Sequence, residues 1–200
     1  GQGVAHAQCL EAWLMGVPGL AVVAPATPAD AYGLMRTALA HGGPVVYVDH
    51  KRLFPTAGPL PDPPPAVPFG AAAVRRAGSD VTVVAHSHGV RLALAAADRL
   101  AADGVSAEVV DLRSLAPLDD ETVCRSVGRT GRLVTVEEGQ VTCGVGAEVA
   151  FRVRDRVGPV PAVRVGPLPA PVSSNPVLEP HVLPDADRVC AAVRRVIGER

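Results

Sequence analysis

Four short apolar runs, each followed by a helical pattern, constrain this chain more than anything else in it. Val81–Ala85 (VTVVA), Ala107–Asp111 (AEVVD), Arg132–Val136 (RLVTV) and Val160–Val165 (VPAVRV) are too short for buried helices. They are also too rich in valine to face water. Such runs read as strands covered on both faces. Helical patterns follow each in turn: Gly89–Ala102, a segment opened by Leu118-Asp119-Asp120-Glu121 and ending near Gly128, Gly144–Val153, and Asp185–Ile197. Strands alternating with helices of this length form right-handed crossovers. The expected fold class is therefore α/β, with a mostly parallel, doubly wound sheet over residues 69–200.

The first part of the chain has the same grammar in a shorter form. His6–Gly16 reads as a helix with Leu10, Trp13 and Leu14 on one face, and Leu20–Ala24 as a strand. Thr27-Pro28-Ala29-Asp30 is a helix start, with Thr27 as cap and Pro28 at the first helical position. That helix runs to about Ala40, His41-Gly42-Gly43 stops it, and Pro44–Asp49 is the next strand. Pro55–Pro68 then holds seven prolines in fourteen residues. It can be neither helix nor central strand, and it reads as a linker. The expected division is residues 1–54, a linker at 55–68, and a second unit at 69–200.

Aromatic residues are only 3% of the chain against 48% hydrophobic overall, so the core must be built of Val, Leu and Ala. A net charge of −1 argues against a general nucleic-acid or membrane surface. No apolar run reaches the ~18 residues of a membrane span, and no signal-peptide pattern opens the chain, so a cytoplasmic location is expected. Cys9, Cys124, Cys143 and Cys190 form no CxxC pair and are expected as reduced thiols. The chain opens Gly1-Gln2-Gly3 without Met, which suggests a fragment or the second half of a divided protein.

Two motifs invite other readings. Ala85-His86-Ser87-His88-Gly89 sits between a strand and a helix, like the nucleophile elbow of a serine hydrolase. Asp111, Asp119 and His181 follow Ser87 in the order that fold uses, and His41-Gly42-Gly43 resembles an oxyanion loop. However, His41-Gly42-Gly43 closes a helix, and the proline-rich stretch parts it from Ser87. The plainer reading is a strand-to-helix turn that satisfies free N–H groups. Gly144-Val145-Gly146-Ala147-Glu148 could pass for a nucleotide loop, but it lacks the full GxGxxG spacing and a downstream acid.

A set of longer segments accounts for the whole chain. Gly3–Trp13 (GVAHAQCLEAW), Val17–Pro25 (VPGLAVVAP), Gly43–Lys51 (GPVVYVDHK), Asp80–Gly89 (DVTVVAHSHG), Glu108–Asp119 (EVVDLRSLAPLD) and Thr135–Glu148 (TVEEGQVTCGVGAE) occur in this order. Val177-Leu178-Glu179 and Leu183-Pro184 close the series. These segments resemble the β subunit of the thiamine-diphosphate-dependent 2-oxo acid dehydrogenases, the pyruvate, branched-chain and acetoin group of the transketolase superfamily. The likeness runs over essentially all 200 residues.

The resemblance implies that residues 1–54 are the second half of a pyrimidine-binding domain and residues 69–200 a transketolase-type C-terminal domain. It implies a decarboxylase acting on a 2-oxo acid and passing the acyl group to a lipoyl arm. Thiamine diphosphate and magnesium would be shared with an α subunit, within an assembly that also holds a second β subunit and a dihydrolipoyl acyltransferase. His6 matches the histidine of the family's QHSQ motif, placed near the reacting acyl group; here the motif reads Ala5-His6-Ala7-Gln8. The family's aminopyrimidine glutamate lies upstream of Gly1. Carbonyls matching those of Ala38, Leu39, His41 and Gly43 hold a potassium ion in the family. Two alternatives stay open: a non-catalytic assembly module of such a complex, and a Ser87 hydrolase.

Overall fold

The computed structural model describes residues 3 to 198. The first part holds helix α1 (Glu11–Met15), strand β1 (Ala21–Val23), helix α2 (Pro28–Ala40), strand β2 (Val45–Tyr47) and a single 3-10 turn at Lys51–Leu53. Beyond the proline-rich stretch come β3 (Ala73–Arg76), β4 (Val81–Ala85), α3 (His88–Ala102), β5 (Ala107–Asp111) and β6 (Ser114–Ala116). Then follow α4 (Asp120–Thr130), β7 (Leu133–Val136), α5 (Val145–Arg156), β8 (Ala162–Val165), α6 (Glu179–Val182) and α7 (Ala186–Ile197).

The main sheet has five strands in the order β3-β5-β4-β7-β8. Strands β5, β4, β7 and β8 are mutually parallel, as the alternating pattern requires. Alternate side chains of one strand feed two separate cores, because strand side chains point to opposite faces. Val81, Val83 and Ala85 of β4 pack with α3 and α7, while Val84 packs with α4 and α5. Every residue of β4 and β5 is buried. Each such valine removed from water contributes about 1.5–3 kcal/mol.

The structure adds two strands that the sequence reading left out. β3 pairs antiparallel with β5 and closes that edge. β6, only three residues long, leaves the main sheet and pairs antiparallel with β1. It therefore completes a second sheet, β2-β1-β6, from a segment beyond the prolines. Val22 and Ala24 of the first part share one apolar layer with Val84, Val110 and Leu115.

The proline-rich stretch is extended but pinned along α2. Val67 donates its N–H to the Gly33 carbonyl at 3.0 Å, and the Thr37 hydroxyl donates to the Val67 carbonyl at 2.7 Å. Arg36 donates to the Pro64 carbonyl at 2.7 Å. Gly33 permits this approach: a Cβ there would lie 2.5 Å from Val67 Cγ2 and 2.8 Å from the Pro65 carbonyl oxygen.

A buried ion network crosses the same boundary. Asp30, near the start of α2, pairs with Arg75 of β3 and, at 3.2 Å, with Arg113 after β5. Arg75 also pairs with Asp111 at 2.9 Å, and Arg113 donates to the Ala71 and Ala72 carbonyls. Thr27 caps α2 as expected, its hydroxyl accepting the Asp30 N–H at 3.2 Å.

The first helix is a correction. The expected helix over His6–Gly16 forms only at Glu11–Met15. No side chain caps it, and the N–H groups of His6 and Ala7 instead turn back to the Gly3 carbonyl. Leu14 joins the core, whereas Leu10 and Trp13 are exposed, Trp13 by 75%. All four cysteines are free thiols. Among the described residues, no helix is long and apolar enough to cross a membrane.

Candidate active-site cleft

The strand-to-helix turn at Ser87 has the backbone of an elbow but not its chemistry. Ser87 stands at φ 50° and ψ −134°, a strained position that lifts α3 off the end of β4. Gly89 follows because a Cβ there would meet the Val136 carbonyl oxygen at 2.9 Å. The Ser87 hydroxyl is buried and has no hydrogen-bond partner among the described residues. No imidazole is in reach to take its proton, which a serine nucleophile needs. The other supposed members are engaged elsewhere. Asp111 pairs with Arg75, Asp119 caps α4 through the Thr122 N–H at 2.9 Å, His181 is exposed on α6, and His41-Gly42-Gly43 closes α2.

Next to that turn, three side chains from distant parts of the chain converge. His50, just after β2, donates from Nε2 to Glu138 Oε2 at 2.7 Å. His88, the first residue of α3, places Nδ1 2.9 Å from Glu138 Oε1. The two imidazoles are stacked, with centroids 4.9 Å apart and planes 11° from parallel. Arg52 lies 3.9 Å from Glu138 and 3.6 Å from Glu179. The sequence reading missed this cluster because its members are far apart in the chain. One signal was available: each polar residue lies just beyond the carboxyl end of a parallel strand, where open α/β sheets gather their sites.

His50 and Glu138 form part of the wall of a cleft of about 520 Å³, which His6, Cys9 and Glu11 also line. His6 is exposed in the turn before α1, and its ring makes no hydrogen bond among the described residues. Glu11 is 7% exposed, and its carboxylate likewise makes no hydrogen bond among the described residues. Burial, reinforced by Glu11, Glu138 and Glu137, pushes the Cys9 thiol up to about 12, which disfavours its thiolate. Burial also lowers the basicity of His86, against the pull of Glu11 and Glu138.

Glu137, at the end of β7, explains the glycine-rich segment. Its carboxylate accepts the N–H groups of Val145 and Gly146, each at 2.9 Å, and so caps the start of α5. The protein's own carboxylate thus occupies the anion position that a nucleotide phosphate would take. Burial nevertheless raises Glu137 to about 7, outweighing the two N–H donors and Arg164. A Cβ at Gly146 would fall 2.3 Å from Thr135 Oγ1 and 2.8 Å from Glu137 Oε1. Gly146→Ala is expected to cost about 1–3 kcal/mol through a displaced cap and overpacking, read as a lowered midpoint in urea. An unchanged midpoint would show that the carboxylate is not holding this helix.

The four positions that match the family's potassium-binding carbonyls lie at the end of α2 and just beyond it. The Ala38 carbonyl accepts the His41 N–H at 3.2 Å, and Leu39 is 82% exposed. The His41 ring packs on Phe69 with centroids 5.2 Å apart, and Gly43 lies close beneath that ring.

A pinned half-sheet joined to a doubly wound domain, with a cleft at the strand ends between them, is a transketolase arrangement, and the chain belongs to that family. The transketolase C-terminal domain matches residues 70–189, and the transketolase pyrimidine-binding domain matches residues 1–56. The chain is 40% identical over 197 residues to subunit beta of the acetoin:2,6-dichlorophenolindophenol oxidoreductase of Cupriavidus necator, covering 96% of this chain and 58% of that protein. It is 39% identical over 204 residues to the mitochondrial pyruvate dehydrogenase E1 component subunit beta-2 of Oryza sativa subsp. japonica, covering 98% and 54%. It thus spans about half the length of the curated relatives it matches. Among solved structures, a split-gene transketolase in an inactive beta4 tetramer superposes with a TM-score of 0.78 at 31% identity, over 95% of this chain and 61% of that one.

Proposed function

We propose that this chain is the β component of a thiamine-diphosphate-dependent 2-oxo acid dehydrogenase. On this reading residues 1–54 are the second half of its pyrimidine-binding domain, and residues 69–200 its C-terminal domain. The observation that carries the reading is His6: in a chain whose relatives include E1 beta subunits, the histidine at the motif position lines the cleft with its ring uncommitted.

The cleft fits one end of such a site. Glu11, Asp49, Glu138 and Glu179 line it against Lys51 and Arg52, so carboxylates outnumber cations. The phosphate oxygens of a diphosphate would be repelled there, and on this reading an α subunit holds the diphosphate and its magnesium. Thiamine diphosphate, when bound, supplies the electron sink for decarboxylation. The part of this chain is to exclude water along the cleft and to present the His6 imidazole as a general acid. An acyltransferase bearing the lipoyl arm and a second β subunit complete the proposed assembly. Potassium on the carbonyls of Ala38, Leu39, His41 and Gly43 is proposed on the family resemblance alone.

The test is reconstitution with a thiamine-diphosphate-binding α subunit and a lipoylated acyltransferase domain, offered a panel of 2-oxo acids. Mass spectrometry of the lipoyl domain should show an acyl adduct only when both subunits are present. If no 2-oxo acid gives an adduct although the subunits co-purify, the second reading stands: a non-catalytic assembly module. Ala5 and Ala7 favour that reading, since neither can orient the His6 ring.

A further inference from the structure

We infer that Glu138 is a positioning residue that reaches across from the C-terminal part of the chain and fixes His50 in the cleft wall as the neutral Nε2–H tautomer. The proton positions follow from the hydrogen bonds. An ionised carboxylate can only accept, so His50 must donate from Nε2 and His88 from Nδ1. The other ring nitrogen of His50, Nδ1, accepts the Arg52 N–H at 3.2 Å and so carries no proton. One nitrogen is protonated and the other is not, which defines a single neutral tautomer. The stacked rings add to this, because two imidazolium ions face to face at 4.9 Å would repel. Burial by itself would raise the Glu138 carboxyl, but the bonds from His50 and His88 outweigh it and hold it well below the usual carboxylate range.

The same geometry argues against a metal centre, although two imidazoles and a carboxylate within 4.8 Å of one another are a plausible ligand set. A metal-bound histidine donates its second ring N–H to an acceptor. His50 Nδ1 faces an N–H donor instead, and the Arg52 guanidinium lies 3.9 Å from Glu138. The separations of 2.7 and 2.9 Å are hydrogen-bond lengths.

The consequence is a division of labour between the two cleft imidazoles. Both ring nitrogens of His50 are hydrogen-bonded, whereas the His6 ring makes no hydrogen bond among the described residues. Through Glu138, the C-terminal part sets the wall formed by His50–Arg52. This inference uses the proposed function only for what the cleft does; its test does not depend on catalysis.

That test is long-range ¹H–¹⁵N correlation of the histidine side chains at neutral pH. His50 should show a protonated Nε2 and an unprotonated Nδ1, unchanged on adding Zn²⁺. In Glu138→Gln, whose amide cannot accept from both rings, His50 should populate both tautomers, and the Arg52 amide should exchange about tenfold or more faster. A protonated His50 Nδ1, a stoichiometric zinc complex through His50 Nε2, or wild-type His50 signals in Glu138→Gln would each overturn the assignment. Should Glu138→Gln fail to fold, His88→Gln serves. It leaves the His50–Glu138 bond in place and should preserve the His50 tautomer; a switch to Nδ1–H there would also overturn it.

Discussion

Replacing Arg75 by Met should destabilise the protein by about 3–5 kcal/mol, because it leaves buried carboxylates without their cation. For a chain of this size that corresponds to a melting temperature lower by about 6–20 °C. Arg75 is the shared partner of Asp30 and Asp111, whose side chains are 5% and 0% exposed. Arg113 still meets Asp30 from the other side, but among the described residues nothing else pairs with Asp111 except the Arg113 backbone N–H at 3.1 Å. Methionine fills much of the volume, so the loss is mainly electrostatic.

The pH dependence gives this prediction a second edge. Burial raises Asp111 to about 6, against the bonds and charge of Arg75, while the neighbouring Asp30 raises it further. A carboxyl whose folded value lies above its ordinary one favours the folded state when protonated. Its contribution is therefore full below about 4 and is lost as pH rises through about 6. Without Arg75 the folded value climbs higher, so the cost of the substitution should grow with pH. Urea titrations at pH 5 and pH 8 would read this. A defect of the same size at both values would mean that the loss is one of packing and not of charge.

The same network marks where the sequence stopped being legible. β4, β5 and β7 could be read directly, because a valine-rich run buried on both faces has few other fates. Ala73-Val74-Arg75-Arg76 could not, since two arginines in four residues argue against a strand in a core. Arg75 points inward only because Asp30 and Asp111, distant in sequence, wait for it. β6 was hidden for a different reason. Ser114-Leu115-Ala116 has no pattern of its own and becomes a strand only by pairing with β1. The site divides in the same way. His6 was visible through a motif, and the carboxylate cap at Glu137 could be inferred only once α5 stood against β7. The His50–Glu138–His88 cluster joins positions 88 and 50 residues apart, and it exists only after both sheets have formed.

On the proposed function, in which His6 would serve as a general acid, substituting Gln for His6 should lower acyl transfer to the lipoyl arm by about 10²–10⁴-fold in the reconstituted complex. Partner binding and melting temperature should be unchanged, since His6 is exposed and its ring makes no hydrogen bond among the described residues. When the dithiolane accepts an acyl group, its S–S bond opens. In the proposed reaction the electron pair left on carbon by decarboxylation would form the new bond to one sulfur, and the other sulfur would leave as a thiolate that needs a proton. An imidazole can supply that proton near neutral pH, and Gln keeps much of the shape but cannot. His50 cannot substitute, because both its ring nitrogens are engaged with Glu138 and Arg52. The loss should therefore appear in lipoyl acylation, while consumption of the 2-oxo acid with an artificial electron acceptor should fall less. An equal fall in both would place His6 before the transfer step. Unchanged turnover in both would remove it from the chemistry altogether and leave the chain as an assembly module, whose two alanines beside His6 would then need no compensation.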